Sequence, residues 1–78
     1  MNTTEYRTVI RAAERVVSAA GPGALRQVRE AQGRSVQQWA ADLEVTRQAV
    51  YLWERGARLP RGVAALAYTD ALAGLRSS

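Results

Sequence analysis

Two short helical patterns, predicted to be joined by about three residues, constrain the fold of this chain more than any other feature. The first pattern repeats at helical spacing and consists of Val36, Trp39, Ala40 and Leu43. In the second pattern, Val50 and Trp53 lie three residues apart. Ser35 and Thr46 precede the two patterns and belong to the residue types that cap helix N-termini well. The sequence therefore predicts two short helices in tight succession, which is a helix-turn-helix.

Two further helices are predicted before this motif. The first covers residues 5–20 with Thr3 or Thr4 as its N-cap, and its apolar stripe consists of Tyr6, Val9, Ile10, Ala13, Val16, Val17 and Ala20. The Gly-Pro-Gly segment at 21–23 interrupts it, because these residues break the helical hydrogen-bond ladder. A second helix follows over residues 24–32.

A last helix is predicted after the motif. Gly56 ends the motif and residues 57–60 form a basic loop. Apolar residues then recur at helical spacing, and they are Val63, Leu66, Ala67, Ala71, Leu72 and Leu75. Since 78 residues suffice for one domain only, we predict an all-α, five-helix single domain. Residues 1–23 form its N-terminal helix and corner, and residues 24–78 form the helix-turn-helix core.

The composition argues against enzyme chemistry. The chain has no cysteine and no histidine, which excludes a thiolate nucleophile, a Cys/His zinc site and an imidazole base. The seven acidic residues are scattered, and no phosphate-cradling glycine loop is present. We therefore predict a non-enzymatic protein without a metal, a cofactor or a small-molecule ligand.

The positive charge is concentrated in one window. All eleven basic residues are arginines, and the net charge is +4. Residues 47–61 hold four of these arginines against Glu54 alone. Such a local positive field favours a polyanionic partner. No apolar run approaches the roughly 18 residues of a membrane span, so nucleic acid is favoured over a membrane as the partner. We expect a cytoplasmic protein that is associated with the nucleoid when it is bound to DNA.

Several residues stand in a characteristic order around the turn and after it, and they are Ala40, Leu43, Val45, Thr46, Val50, Trp53, Glu54, Gly56 and Pro60. With this order the segment from Leu25 to Pro60 resembles the Cro/Xre-like phage-repressor helix-turn-helix family. The resemblance implies a lambda-repressor-like core. It also implies that the helix from Arg47 to Arg55 is the recognition helix, which lies in the major groove of double-stranded DNA.

The outer face of that helix carries the types of side chain that read bases. Because its two apolar residues must face the core, Arg47, Gln48, Tyr51 and Leu52 lie on the outer rows. Arginine can bond guanine, glutamine can bond adenine, and Leu52 can contact a thymine methyl group. We expect Arg47 and Gln48 in the first turn to be the main base readers, followed by Tyr51. The alternative is a polar helix face that is merely solvated.

A second set of residues is predicted to bind phosphates. Arg55, Arg58 and Arg61 lie at and after the end of the recognition helix, where the chain should pass the sugar-phosphate backbone. Ser35 and Gln37 lie at a helix N-terminus, which favours anions. The alternative for the arginines is a solubilising surface.

Glu54 is acidic in a region expected to approach DNA, so it should point inward toward a cation. The family resemblance implies that an arginine of the first core helix meets this glutamate, and Arg29 occupies the matching position. We therefore predict an Arg29–Glu54 ion pair, with two unrelated surface charges as the alternative.

Three positions depart from the family pattern. Val36 replaces a usual glutamine, which puts the contacts of helix 36–43 in doubt unless Gln37 replaces it. Glu44 stands where glycine is usual in the turn, so a strained left-handed residue or a modified turn is expected. Trp39 replaces a usual leucine and should join Trp53 in an aromatic core.

Two functions from different classes follow. The first is a small sequence-specific transcription regulator that acts as a homodimeric repressor or autorepressor on an inverted-repeat operator. Such an operator could belong to a phage or mobile-element operon, including an anti-CRISPR-associated operon. The second is an antitoxin-like or accessory protein-interaction module with secondary DNA binding. The N-terminal helix either covers the core of its own chain or forms the dimer interface, and both roles are compatible.

Overall fold

Five helices make up the computed structural model, which describes residues 1–77. They are α1 (Thr3–Ala20), α2 (Pro22–Ala31), α3 (Val36–Leu43), α4 (Arg47–Glu54) and α5 (Gly62–Ser77). No strand occurs within residues 1–77. The prediction of an all-α fold with five helices is confirmed, and some of the helix ends differ from the predicted ones.

The predicted N-cap of α1 was wrong. The helix starts two residues earlier than expected, and Asn2 caps it instead of Thr3 or Thr4. The Asn2 side-chain oxygen accepts the backbone N–H of Glu5 at 2.8 Å, and its amide donates to the Glu5 carboxylate at 2.9 Å. Asparagine ranks above threonine as an N-cap, and this second bond favours it further.

The corner between α1 and α2 is shorter than predicted. Only Gly21 separates the two helices, with a φ of 85° that L-residues rarely adopt. Pro22 and Gly23 belong to the first turn of α2 rather than to the corner. Proline fits there because the first residue of a helix needs no backbone N–H donor. As a result α2 begins two residues before the predicted Ala24.

The helix-turn-helix forms at the predicted positions. Ser35 caps α3, and its side chain and that of Gln38 form a reciprocal capping box. Glu44 follows α3 in the left-handed region with φ 58° and ψ 42°, as the departure from glycine implied. Thr46 then caps α4, since its hydroxyl oxygen accepts the N–H of Ala49 at 3.1 Å. The turn is therefore stabilised by a cap on each helix, at the cost of one strained residue.

The centre of the core is an aromatic cluster. Tyr68 of α5 is fully buried, and its ring lies edge-on to Trp39 at 5.5 Å and to Trp53 at 5.8 Å between centroids. The expected burial of both tryptophans in an aromatic core is thus confirmed, but the contribution of Tyr68 was missed. Leu25 and Val28 of α2 complete the cluster.

The apolar residues that predicted α5 only partly define its buried face. Val63 and Leu75 are 63% and 37% exposed. Ala64, Ala65 and Tyr68 are buried instead, together with the predicted Leu72. Because apolar residues occur on every side of this helix, periodicity alone does not select the buried face.

α1 packs across α5 and contributes to the core through Ala13 and Val17. The Thr69 hydroxyl donates to the carbonyl of Ala13 at 3.3 Å, which ties the two helices together. Tyr6 and Val9, however, are 45% and 37% exposed. The apolar stripe of α1 therefore covers the core mainly with its C-terminal half, and the N-terminal half presents apolar surface to solvent.

Candidate nucleic-acid interface

The outward face of α4 is polar and accessible. Val50 is fully buried and Trp53 is 7% exposed, so these two residues anchor α4 against the core. Arg47, Gln48 and Tyr51 are exposed as a consequence of the helical spacing, and Tyr51 is 49% exposed. The structure thus presents the three main predicted base readers on one accessible surface.

Leu52 has a different environment from the other predicted base readers. It is half-buried and lines an open groove of about 820 Å³ beside α4. Leu59 and Val63 line the same groove, as do Arg58 and Arg61 of the loop before α5. We call it the α4 groove. Leu52 therefore lies at the edge of the outer face of α4, with part of its side chain turned toward the loop.

The predicted Arg29–Glu54 ion pair is present and almost fully buried. The Arg29 guanidinium donates to the two Glu54 oxygens at 2.7 and 3.0 Å, and the two side chains are only 11% and 9% exposed. A third bond runs from Arg29 to the carbonyl oxygen of Arg34 at 2.8 Å. The hydrogen bond to Glu54 raises the pKa of Arg29 above its ordinary value. Glu54 therefore points away from the outer face of α4.

This ion pair decides the charge of the surface around α4. Glu54 is the one acidic residue among positions 47–61, and its charge is neutralised by an arginine of another helix. The arginines of that window are all exposed, and none of them forms a salt bridge with a carboxylate of residues 1–77; they are Arg47, Arg55, Arg58 and Arg61. The tertiary structure thus leaves four arginines beside α4 without a salt-bridge partner in residues 1–77.

A family model described as helix-turn-helix, of the Cro/C1 type, matches residues 25–73. The chain belongs to this helix-turn-helix family. Its members are DNA-binding transcription regulators and not enzymes. The match begins at Leu25 in α2, so α1 lies outside it. No curated protein and no solved structure matched the chain significantly.

In this helix-turn-helix protein, α4 is the second helix of the motif, at the position of the recognition helix. At two positions of α3, the residue differs from the one that is usual in the family. Val36 is half-buried and packs against the core, so the position of the usual glutamine does not face outward as a polar contact. Gln37, the next residue, is exposed. Trp39 is 5% exposed and belongs to the core. The N-terminus of α3 can therefore offer Gln37, but not residue 36, to a ligand.

Ser35 has a structural role in addition to the predicted phosphate contact. Its hydroxyl oxygen accepts the N–H of Gln38 at 3.1 Å, and its own N–H donates to the Gln38 side chain at 2.9 Å. Ser35 is nevertheless exposed, and its hydroxyl proton can still be donated. The capping box therefore holds this side chain in place at the N-terminus of α3.

One feature near the turn was missed by the sequence reasoning. Arg34 donates to the Asp42 carboxylate at 2.7 and 2.8 Å, with both side chains about two-fifths exposed at 37% and 40%. The two residues are eight positions apart, on opposite sides of the start of α3. No local spacing rule connects such positions, so only the turn between α2 and α3 brings them together.

Two other types of site are absent from residues 1–77. None of the described helices has the length and apolarity needed to cross a membrane. The same residues contain no cluster of three or more His, Cys, Asp or Glu side chains that would suit a metal ion.

Proposed function

We propose that this protein is a sequence-specific DNA-binding regulator that inserts α4 into the major groove. The supporting observation is the exposure of Arg47 and Gln48 in the first turn of a helix whose opposite side is anchored by Val50 and Trp53. A rigid helix can hold side chains in one register against base edges. Arg47 then reads guanine and Gln48 reads adenine, with Tyr51 and the edge residue Leu52 contributing additional contacts.

The phosphate contacts in this proposal lie on both sides of α4. Arg55, Arg58 and Arg61 supply positive charge after the helix, and their exposure without a carboxylate partner in residues 1–77 supports this role. Ser35 and Gln37 supply polar contacts at the N-terminus of α3. These contacts set the position of the protein on DNA and its affinity, but they do not select a sequence.

We further propose a homodimer on an inverted-repeat operator. One recognition helix reads few base pairs, whereas a two-fold dimer reads two half-sites about one helical turn apart. Occupation of a promoter by such a dimer would repress transcription, including that of its own gene, as in a phage or mobile-element operon. Binding to the chromosome would place the protein in the cytoplasm on the nucleoid. Sedimentation of a monomer both free and on operator-length DNA would exclude the dimer.

The test of the base-reading role compares two arginines that differ in their proposed contact. The probes are a duplex that the wild-type protein selects from a random-sequence pool and an unselected random duplex. Arg47→Ala should weaken binding to the selected duplex by about 1–3 kcal/mol and should leave binding to the random duplex nearly unchanged. Arg58→Ala should weaken both and should reduce the salt slope by about 0.9, because it removes one phosphate contact.

The control is Arg26→Ala. Arg26 is an exposed arginine with a 65% accessible side chain, but it lies 3.5 Å from Glu30 and outside the 47–61 window. It should change neither affinity nor slope. Equal losses on the two duplexes for Arg47→Ala would refute sequence reading by Arg47.

A second candidate function is favoured by the exposed apolar surface of α1. Tyr6 and Val9 lie near the start of this helix and are 45% and 37% exposed. In an antitoxin-like or accessory protein, this surface would bind another protein and DNA binding would be secondary. Tyr6→Ser/Val9→Ser distinguishes the two functions. A loss of dimer and of operator affinity supports the regulator, whereas unchanged sedimentation and DNA binding would favour the protein-interaction module.

A further inference from the structure

α1 carries a row of arginines outside the residues that match the family. Arg7, Arg11 and Arg15 are spaced four residues apart, so they lie along one face of the helix, and all three are exposed. Like charges at this spacing repel each other. None of the three forms a salt bridge with a carboxylate of residues 1–77. The row therefore has no stabilising partner in the described part of the chain.

The tertiary structure places this row beside the loop that follows α4. The backbone N–H of Gly62 donates to the Glu14 carboxylate at 3.1 Å. Glu14 lies between Arg11 and Arg15 in α1, and Arg61 directly precedes Gly62. The contact therefore places the backbone after Arg61, which is exposed, against the turn of α1 that carries the two arginines. We call Arg11, Arg15 and Arg61 the α1 arginine patch.

Glu14 does not cancel the charge of this patch. Its carboxylate accepts a backbone N–H in the first turn of α5, where the helix dipole is positive. The negative charge of Glu14 is thus stabilised by the positive N-terminal end of α5 as well as by the arginines. Three exposed guanidinium groups remain around one carboxylate that is already hydrogen-bonded.

The patch is continuous with the proposed DNA-binding surface. Arg61 lines the α4 groove together with Arg58, and Leu52 of α4 lines the same groove. Positive charge therefore extends from the outer face of α4 across the loop to α1.

We propose that the α1 arginine patch binds the phosphates of DNA that flanks the bases read by α4. This inference rests on the proposed function. Arginine binds phosphate oxygens in bidentate fashion, and Arg11 and Arg15 are about 6 Å apart along the helix axis, so that each can contact a separate phosphate. A membrane surface fits less well, because binding there needs an apolar face beside the charges. Tyr6 and Val9 are exposed but precede Arg11 and Arg15, and the apolar residues beside these arginines, Ala13 and Val17, are buried.

The experiment measures salt dependence on two lengths of DNA. The short probe is derived from the duplex that the wild-type protein selects. It contains only the segment that the double variant Arg11→Gln/Arg15→Gln protects in a footprint. The long probe extends this duplex by about one helical turn, ~10 base pairs, on each side. Affinity is measured between low and moderate salt for Arg11→Gln, Arg15→Gln and the double variant.

We expect each single substitution to reduce the salt slope on the long probe by about 0.9 and the affinity at 0.1 M salt by about five- to tenfold. The double variant should show about twice the change in slope. On the short probe, all variants should bind like the wild type. Arg26→Gln serves as the matched control, since it removes the same charge from an exposed arginine on α2. Matching thermal unfolding curves will show that the substitutions leave the fold intact.

Two results would overturn the inference. One is an unchanged salt slope on the long probe for the double variant. The other is an equal decrease in the Arg26→Gln control, which would indicate a general effect of net charge. Failure of the proposed function is a separate outcome, because it is measured with Arg47→Ala on the short probe. Sequence preference on the short probe, together with no effect of the α1 substitutions on the long probe, would refute the flanking contact alone.

Discussion

Removal of the Glu54 carboxylate should destabilise this protein more than the loss of any exposed ion pair. In Glu54→Ala, the Arg29 side chain, only 11% exposed, would lose its bonds at 2.7 and 3.0 Å and keep one bond at 2.8 Å to the Arg34 carbonyl. A buried charge left without its partner costs about 3–5 kcal/mol. A domain of this size has a total stability of about 4–12 kcal/mol. The substitution should therefore remove a large part of the free energy of unfolding.

Thermal and urea denaturation, followed by circular dichroism, would measure this effect. For a domain of this length each kcal/mol corresponds to about 4–8 °C, so Tm should fall by about 12–40 °C. The matched control is Asp42→Ala, which breaks the Arg34–Asp42 pair. That pair also has two short bonds, 2.7 and 2.8 Å, but its side chains are 37% and 40% exposed. Its loss should cost at most about 1 kcal/mol.

A double substitution separates the loss of the pair from the cost of an unpaired charge. Arg29→Met/Glu54→Leu replaces both charges by apolar side chains, and its stability should return to within about 1 kcal/mol of the wild type or exceed it. The reasoning would be refuted if Glu54→Ala cost no more than Asp42→Ala. Glu54 would then be solvated, and the four arginines of the 47–61 window would not be free of a competing carboxylate.

Three other substitutions test the fold. Burial raises the pKa of Tyr68 to about 12, so the unfolded chain, in which tyrosine ionises near pH 10, loses the proton first as pH rises. Stability should therefore fall between about pH 10 and pH 12, by up to about 3 kcal/mol, and Tyr68→Phe should abolish this part of the loss in urea denaturation, whereas Tyr6→Phe should not. Glu44→Gly should raise the free energy of unfolding by about 1 kcal/mol, because glycine adopts the φ of 58° without strain; a lower Tm would contradict this account of the turn. Gly56→Ala should lower stability by about 1–2 kcal/mol, since its φ is 76° and a Cβ would lie 3.2 Å from Pro22, and an unchanged urea midpoint would argue against the close approach.

The helix-turn-helix could be predicted from the sequence because its determinants are local. Ser35 and Thr46 cap helices through bonds to residues three positions away, and these bonds are present. Val50 and Trp53 define the inner side of α4 by their spacing alone, which also exposes its predicted base-reading residues. The Arg29–Glu54 pair was reached only through the family resemblance, since its members are 25 positions apart.

The rest depended on contacts between distant parts of the chain. α5 is apolar on all sides, so its pattern did not show that Tyr68 would be buried while Val63 stays exposed; α1 and the two tryptophans select that face. The net charge of the α4 surface was likewise decided by the fold, because an arginine of α2 neutralises Glu54. The bond between Gly62 and Glu14 places Arg61 beside α1, and no spacing rule relates positions 48 residues apart. Caps and apolar periodicity act within a few residues and can be recognised in the sequence, whereas the buried face of α5 and the charge around α4 depend on how the helices pack together.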